Sequence, residues 1–480
     1  MLWGFLQTEA GQNWLARQVT KRLSKDLQTR ITIKHVDIGL FNFDKMNLEG
    51  VLVEDQRKDT LLYAGLFQVR ITDWFFFRDK AEVKYVGLED AIINLNRTDS
   101  VWNYHFLEQY LNTPGQPGKK KSSGIAFDLK KVVMKNVTFI KKDAWLGNDM
   151  MARIGGLDMD AKKITISKKT IDISSLTLNN PYFSILDYKG RKITTTDPVV
   201  IKEEIRQSSQ DWKISFGNVK INNGRFRNDS DSLVATTSYF DGAHIDFSKI
   251  NGTFTNIGLT QDTVTGTIDL SAMERSGLVV KSLKAKTTFH PKGMIFDDLF
   301  LQTNKSTIGN YFSMSYKDIG NMGNFLHEVT MGAYFNRSTV SSDDIAFFAP
   351  NLRAWKKIIK IDGDVKGTVD ALTSKDLEVW AGNNTYVHGA LSLVGLPNID
   401  ETLINIDAKD LRTTYSDAVN FIPAIRGIET PNLRRLTYLK FRGTYTGFIN
   451  DFVTFGTIQT NLGTQQTDLN MKFPSRGDPV

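Results

Sequence analysis

The 480-residue chain contains no cysteine, which excludes disulfides, iron–sulfur clusters and every thiolate metal site. Compartment stays open on that ground. Histidine is scarce, with six at positions 35, 105, 244, 290, 327 and 388, none spaced four apart and none in a His-Glu-x-x-His helix. No Gly-x-Ser-x-Gly elbow, Gly-x-x-x-x-Gly-Lys phosphate loop or Gly-x-Gly-x-x-Gly fingerprint occurs. Asp362-Gly-Asp364 lacks the spaced acidic ligands and closing Glu of a calcium loop and reads as a hairpin turn. These gaps argue against an enzyme, and no catalytic residue, cofactor or metal is expected. Long apolar runs are missing as well: no stretch of about 20 residues could span a bilayer, and no complete signal peptide is present.

Alternation is what the chain has in abundance. From Ile31 to Phe473 short stretches place an apolar residue at every second position, as in Val51-Leu-Val53, Val132-Val-Met134, Val219-Lys-Ile221 and Ile268-Asp-Leu270. Period two marks strands with one apolar and one polar face. The expected fold is mainly β, an elongated, curled antiparallel sheet forming a repeating β-groove, with an N-terminal amphipathic helix and a few short helices. Such a sheet curls by its own twist. Its apolar face either closes on itself as the dry core of a sandwich or stays open as a trough.

Charge adds little overall, at +7 over the whole chain, but it concentrates at the start. Thr8 and Glu9 open a helix to about Leu27, in which Leu15, Val19, Leu23 and Leu27 with Trp14 form an apolar stripe. Arg17, Lys21 and Lys25 form a basic one, suited to a membrane surface or to plugging the sheet end. The opening Met1-Leu-Trp-Gly-Phe-Leu6 reads as the last turns of a membrane helix whose beginning is missing, or as an apolar end tucked into the core. Trp3, Phe5, Leu6 and Trp14 would sit at the membrane, with Arg17, Lys21 and Lys25 near lipid phosphates. Lys119-Lys-Lys121 lies in the Pro/Gly/Ser loop 113–124 and reads as solvated.

Turn chemistry punctuates the strands at 47–50, Asn222-Asn-Gly224, Asn251-Gly252 and Asp362-Gly363. Helices are expected from Ser100 through Leu111, from Ser342 to about Ile358 with a break near Pro350, and from Tyr415 to Ile425. Leu48-x-x-Val51-x-Val53, Leu129-x-x-Val132-x-Met134 and Phe216-x-x-Val219-x-Ile221 share one spacing, 81 and then 87 residues apart. Val86-Gly-Leu88-Glu-Asp90 recurs 90 residues later as Leu176-Thr-Leu178-Asn-Asn180. Matching intervals suggest units of roughly 80–90 residues. The expected organisation is a membrane-proximal helix (1–30), β-groove units at 31–112, 125–206 and 207–316 around the 113–124 linker, and a fourth unit with helical insertions (317–480).

Several segments carry a resemblance. Gln7-Thr-Glu-Ala-Gly-Gln-Asn-Trp-Leu-Ala16 with Val36-Asp-Ile38, Leu48-Glu-Gly-Val-Leu-Val-Glu-Asp55 and Asp59-Thr-Leu-Leu-Tyr-Ala64 are similar to the start of TamB/AsmA-like envelope proteins of the Bacteroidetes type. Asp344-Ile-Ala-Phe-Phe-Ala-Pro-Asn-Leu352, leading into Ile361-Asp-Gly-Asp-Val-Lys-Gly-Thr-Val369, resembles them too. The resemblance implies a periplasmic protein anchored to the inner membrane of a Gram-negative bacterium, whose hydrophobic β-groove carries phospholipids toward the outer membrane. It also implies a possible outer-membrane barrel partner of the TamA type, reached through a C-terminal region absent here. The membrane helix of those proteins is missing as well, so this chain reads as an N-terminal portion. No nucleic-acid partner is expected. Val51, Val53, Val132, Met134, Val219, Ile221, Ile268 and Leu270 are the candidate groove residues. Alternative readings are a scaffold that assists outer-membrane barrel assembly through unpaired strand edges and, more remotely, a carbohydrate-binding or hydrolytic β-solenoid.

Overall fold

A computed structural model describes residues 8–38, 45–72, 81–112, 125–165, 170–192, 213–231, 233–350, 353, 356–421, 423–429 and 432–472. Trp3, Phe5, Leu6 and the 113–124 loop lie outside them. The chain is mainly β and divides into two compact units, Met1–Ala235 with Ala243–Thr267, and Thr236–Gly242 with Ile268–Val480.

Unit 1 opens with helix α1 (Glu9–Asp26), capped where the Thr8 hydroxyl accepts a hydrogen bond from Gly11 N–H at 3.1 Å. Its buried side carries Gln12, Ala16, Thr20 and Leu27, with Leu23 only half-buried. Trp14 is 46% exposed. The described packed face interleaves Ala16 and Thr20 with Gln12 and Leu27 where α1 lies close on β1 (Ile31–Thr32) and β2 (His35–Ile38), and the side chains of Leu15 and Val19 lie outside those described. Small side chains permit that approach.

The strands that follow are β3 (Lys45–Glu54), β4 (Thr60–Thr72), β5 (Ala81–Arg97), β6 (Ile125–Asp143), β7 (Asn148–Thr165), β8 (Thr170–Asn179), β9 (Tyr182–Asp187), β10 (Lys213–Ser230) and β11 (His244–Thr260). Pairing is mixed, not purely antiparallel: β5 lies parallel to β6, and β10 lies parallel to β8 and β9. Parallel neighbours need a long crossover. They occur where the chain supplies one, at 98–124 with helix α2 (His105–Asn112), and at 188–212. Arg97 and Asp143 are register partners at the end of the β5–β6 pair, joined by two hydrogen bonds of 2.7 and 2.8 Å. Trp102 of the crossover stacks on Arg97, 4.6 Å from the guanidinium carbon. Phe106 and Leu107 of α2 then pack with Leu27, Leu61, Val53 and Leu95.

Unit 2 holds an antiparallel succession: β13 (Val279–His290), β14 (Gly293–Gln302), β15 (Thr307–Ser315), β16 (Thr330–Ser341), β17 (Ile358–Thr368), β18 (Ala371–Ala381), β19 (Thr385–Val394), β20 (Leu403–Thr413), β21 (Leu439–Phe448), β22 (Asp451–Thr460) and β23 (Gly463–Lys472). The boundary in the chain falls within β12 (Thr263–Glu274). Short helices α3 (Phe325–Glu328), α4 (Ser342–Ile345) and α5 (Tyr415–Phe421) interrupt it. The helix expected from Ser342 to Ile358 is thus a single turn. The Ser341 hydroxyl caps it by accepting from Asp343 N–H, and Ile358 already begins a strand.

Candidate functional site: a creased apolar face

Side chains in unit 1 line up across the hydrogen-bonded pairs into apolar rows. One runs Leu48–Phe67–Leu88–Met134–Leu157–Leu178–Ile221. Its neighbour runs Met46–Val69–Val86–Val132–Met159–Leu176–Val219–Phe254. A third runs Val53–Leu62–Ile93–Phe139–Ala152–Phe183–Phe226–Phe247. None of the three contains a charge. The first charged side chain, Lys141, enters one row farther out, between Leu95 and Met150.

Between the first and third rows the ladders skip one residue on strand after strand: Gly50, Gly65, Asp90, Asn136, Gly155, Asn180 and Asn223. Gly50, Asp90, Asn136, Asn180 and Asn223 have φ of 61°, 51°, 52°, 49° and 53°, a left-handed backbone that Gly, Asn and Asp tolerate best. An extra residue in a strand bends it and shifts the alternation by one. Leu48 and Val51, three apart, consequently face the same side, as do Leu88 and Ala91, and Met134 and Val137. The repeated bend folds one apolar face into two walls about a crease. Outside the crease the polar side chains join hands: the Asn136 amide donates to Asp90 at 2.6 Å, Asn223 to Asn180 at 2.8 Å and Asn222 to Asn179 at 2.8 Å.

Asn222-Asn-Gly224, Asn251-Gly252 and Asp362-Gly363 are therefore bulges within β10, β11 and β17 rather than the turns expected of them. The true repeat is Met46-Asn-Leu48-Glu-Gly50, Val86-Gly-Leu88-Glu-Asp90, Val132-Val-Met134-Lys-Asn136, Leu176-Thr-Leu178-Asn-Asn180 and Val219-Lys-Ile221-Asn-Asn223. All five copies run in one direction. The match of Val86–Asp90 to Leu176–Asn180 holds in register, and so does that of Val132 to Val219. Val51 does not align with Val132: it lies across the crease, on the row of Val137.

The floor of the crease is Val51, Ala64, Ala91 and Val137, 8%, 1%, 1% and 1% exposed. Its small side chains suit a vertex where two walls converge. On the walls the row from Leu48 to Ile221 and the row from Val53 to Phe247 are half-exposed throughout. A sealed core would bury most such side chains completely. Of the candidate groove residues, Val51 belongs to the floor, and Val132 and Val219 are buried in one row. Val53, Met134 and Ile221 stand half-exposed on the walls. Ile268 is buried and Leu270 half-buried on β12. Alternation alone missed Ala64, Ala91 and Val137, and the Asp/Asn/Gly closing each repeat was the signal that locates them. On α1, Arg17, Lys21 and Lys25 are exposed alongside Trp14.

Unit 2 keeps left-handed skips at Asp298 and Arg337, with φ of 51° and 45°, and lines the rest of its crease largely with glycine. Gly363, Leu377, Gly389, Ala408, Gly443, Gly456 and Thr467 form one row. A Cβ on Gly363 would stand 2.3 Å from Asp376 O, and one on Gly443 only 2.1 Å from Phe455 O. Neither site admits a side chain. Walls rise on both sides, with Val379, Val387, Leu411, Phe441 and Ile458 in one row and Leu393, Ile404, Phe452 and Met471 in another. Phe452 packs on Tyr445 at 4.7 Å between ring centres, and burial pushes the Tyr445 phenol up to about 12.

Among the described residues no helix is long and apolar enough to cross a membrane, and no group of three or more His, Cys, Asp or Glu could hold a metal ion. The chain matches no protein-family model and no curated protein.

Proposed function

We propose that the creased faces cradle acyl chains and that the protein carries phospholipid between the inner and outer membranes of a Gram-negative envelope, as a non-catalytic periplasmic conduit. The half-exposed, charge-free rows of unit 1 are the observation that carries this reading. Moving a sixteen-carbon chain from bilayer to water costs on the order of 12 kcal/mol, at about 0.8 kcal/mol per CH₂. A continuous hydrocarbon wall removes most of that penalty. Dispersion contacts are similar at each register, so no deep trap stops a sliding chain. Head groups meet no charged residue on these rows, and selectivity among them is expected to be low. Trp14, Arg17, Lys21 and Lys25 on α1 would rest against phospholipid phosphates at the inner membrane. This reading fits the TamB/AsmA-like resemblance and makes a TamA-type barrel partner a further proposal.

Lipid extraction and native mass spectrometry of the purified protein test the reading. Co-purified phospholipid is expected, and Met134→Glu with Ile221→Glu should lose most of it while circular dichroism stays unchanged. A protein free of lipid before and after incubation with vesicles would sink it. One observation favours the alternative of strand capture during barrel assembly: among the described residues β23 pairs only with β22, leaving its other edge open. Binding of unfolded barrel segments by a lipid-free protein would support that alternative.

A further inference from the structure

In unit 2 alternate connections gather at opposite ends of the strands, because every pairing from β13 to β23 is antiparallel. One rim collects residues 303–306, 342–357, 382–384, 414–438 and 461–462, including helices α4 and α5. The other collects 291–292, 316–329, 369–370, 395–402 and 449–450. Their charges are opposed. The helix-bearing rim has seven Lys and Arg against four carboxylates, and the opposite rim has five carboxylates against two lysines.

Three of the four carboxylates on the basic rim already have partners. Asp344, 6% exposed, accepts from the Thr303 hydroxyl at 2.6 Å and from Lys305 N–H at 2.9 Å. Asp417, 3% exposed, accepts from Asn384 N–H at 2.6 Å and Asn383 N–H at 3.1 Å. Asp343 is shared by Lys305 and Lys356 at 2.5 and 2.8 Å. Arg426, Arg434 and Arg435 are exposed and form no ion pair among the described residues. The same rim carries exposed apolar side chains, Phe348 at 48% and Leu462 at 62%, and Ile358, at 56%, opens β17 next to it.

From this combination we infer that the helix-bearing rim of unit 2 docks on an anionic phospholipid surface. Cations meet lipid phosphates while Phe348, Ile358 and Leu462 enter the interfacial layer. A nucleic acid would satisfy the arginines but offer no apolar layer to Phe348, Ile358 and Leu462, and an acidic protein is separated by the experiment below. The inference stands whether or not the creases carry lipid.

Flotation with vesicles of zwitterionic phospholipid, with and without an anionic phospholipid, tests it on the full chain. Arg17, Lys21 and Lys25 are changed to Gln throughout, so that α1 does not mask the effect. Binding is expected only to the anionic vesicles and to weaken at high salt. The triple variant Arg426→Glu, Arg434→Glu, Arg435→Glu should lower partitioning by on the order of 100-fold, at about fivefold per arginine. Lys292→Glu with Lys317→Glu on the opposite rim should change it less than about twofold. Arg434→Gln with Arg435→Gln, a milder pair, should cost roughly 25-fold if the triple variant fails to fold. Equal losses from both rims, no loss from either, no vesicle binding, or binding to an acidic peptide or nucleic acid without vesicle binding would overturn the inference.

Discussion

The two units reach a similar apolar crease from different residues. Unit 1 bends its strands with Asn, Asp and Gly in a left-handed backbone, ties the outside of the bend with side-chain amides, and lays Ala64 and Ala91 on the floor. Unit 2 relies more on glycine, placing it on four of its strands along the crease among Leu377, Ala408 and Thr467. The first solution leaves a repeated motif in the sequence. The second leaves isolated glycines, and the repeat fades after residue 300 for that reason. A crease depends on backbone tolerance at one level of every strand, and sequence can meet that need in more than one way.

Substitution should separate the two solutions. Gly443→Val is expected to cost about 3–5 kcal/mol, since its Cβ would overlap a backbone oxygen and the backbone at φ 150° disfavours a branched residue. Asn136→Gly in unit 1 keeps the left-handed bend and forfeits one hydrogen bond to Asp90, costing under about 1 kcal/mol. Urea unfolding with hydrogen exchange resolved by strand measures both. Equal effects would show that the creases are built alike.

A second contrast is acid sensitivity at the parallel junction of unit 1. Burial works to raise the Asp143 carboxyl, but hydrogen bonds from Arg97 and Leu146 N–H, with the charges of Arg97 and Lys141, outweigh it and hold the group below the ordinary carboxylate range. A depressed carboxyl contributes stability above the unfolded value of about 3.9 and loses it as pH falls through the folded one. Arg97→Met should cost up to about 3 kcal/mol at neutral pH by leaving the buried Asp143 with only the Leu146 N–H and Lys141 at 3.8 Å. That deficit should shrink below about pH 4, as the carboxyl takes up a proton. Chemical denaturation across pH checks this, and a deficit constant down to strong acid would contradict it.

Much of the fold is legible in the sequence. Alternation at Val132–Met134 and Val219–Ile221 identified strands and their apolar side, and Val86–Asp90 with Leu176–Asn180 marked true equivalents. Asn222-Asn-Gly224 misled because a left-handed residue serves a hairpin turn and a bulge equally well. The offset of Val51 from Val132 follows from the same ambiguity, since one unrecognised extra residue moves a strand across the crease. Parallel pairing at β5–β6 was hidden because long connections allow it without requiring it. The alanines of the floor are too small to register as an apolar stripe, and only the adjoining Gly65 and Asp90 mark their place.

The central claim is that the walls of the crease accept hydrocarbon, and the most direct measurement is crosslinking with a phospholipid bearing a photoreactive group on its acyl chain. Mass spectrometry should place the adducts on Phe67, Leu88, Met134 and Leu178, on one side of the sheet only. Adducts confined to the outward residues between them, or none at all, would contradict the account.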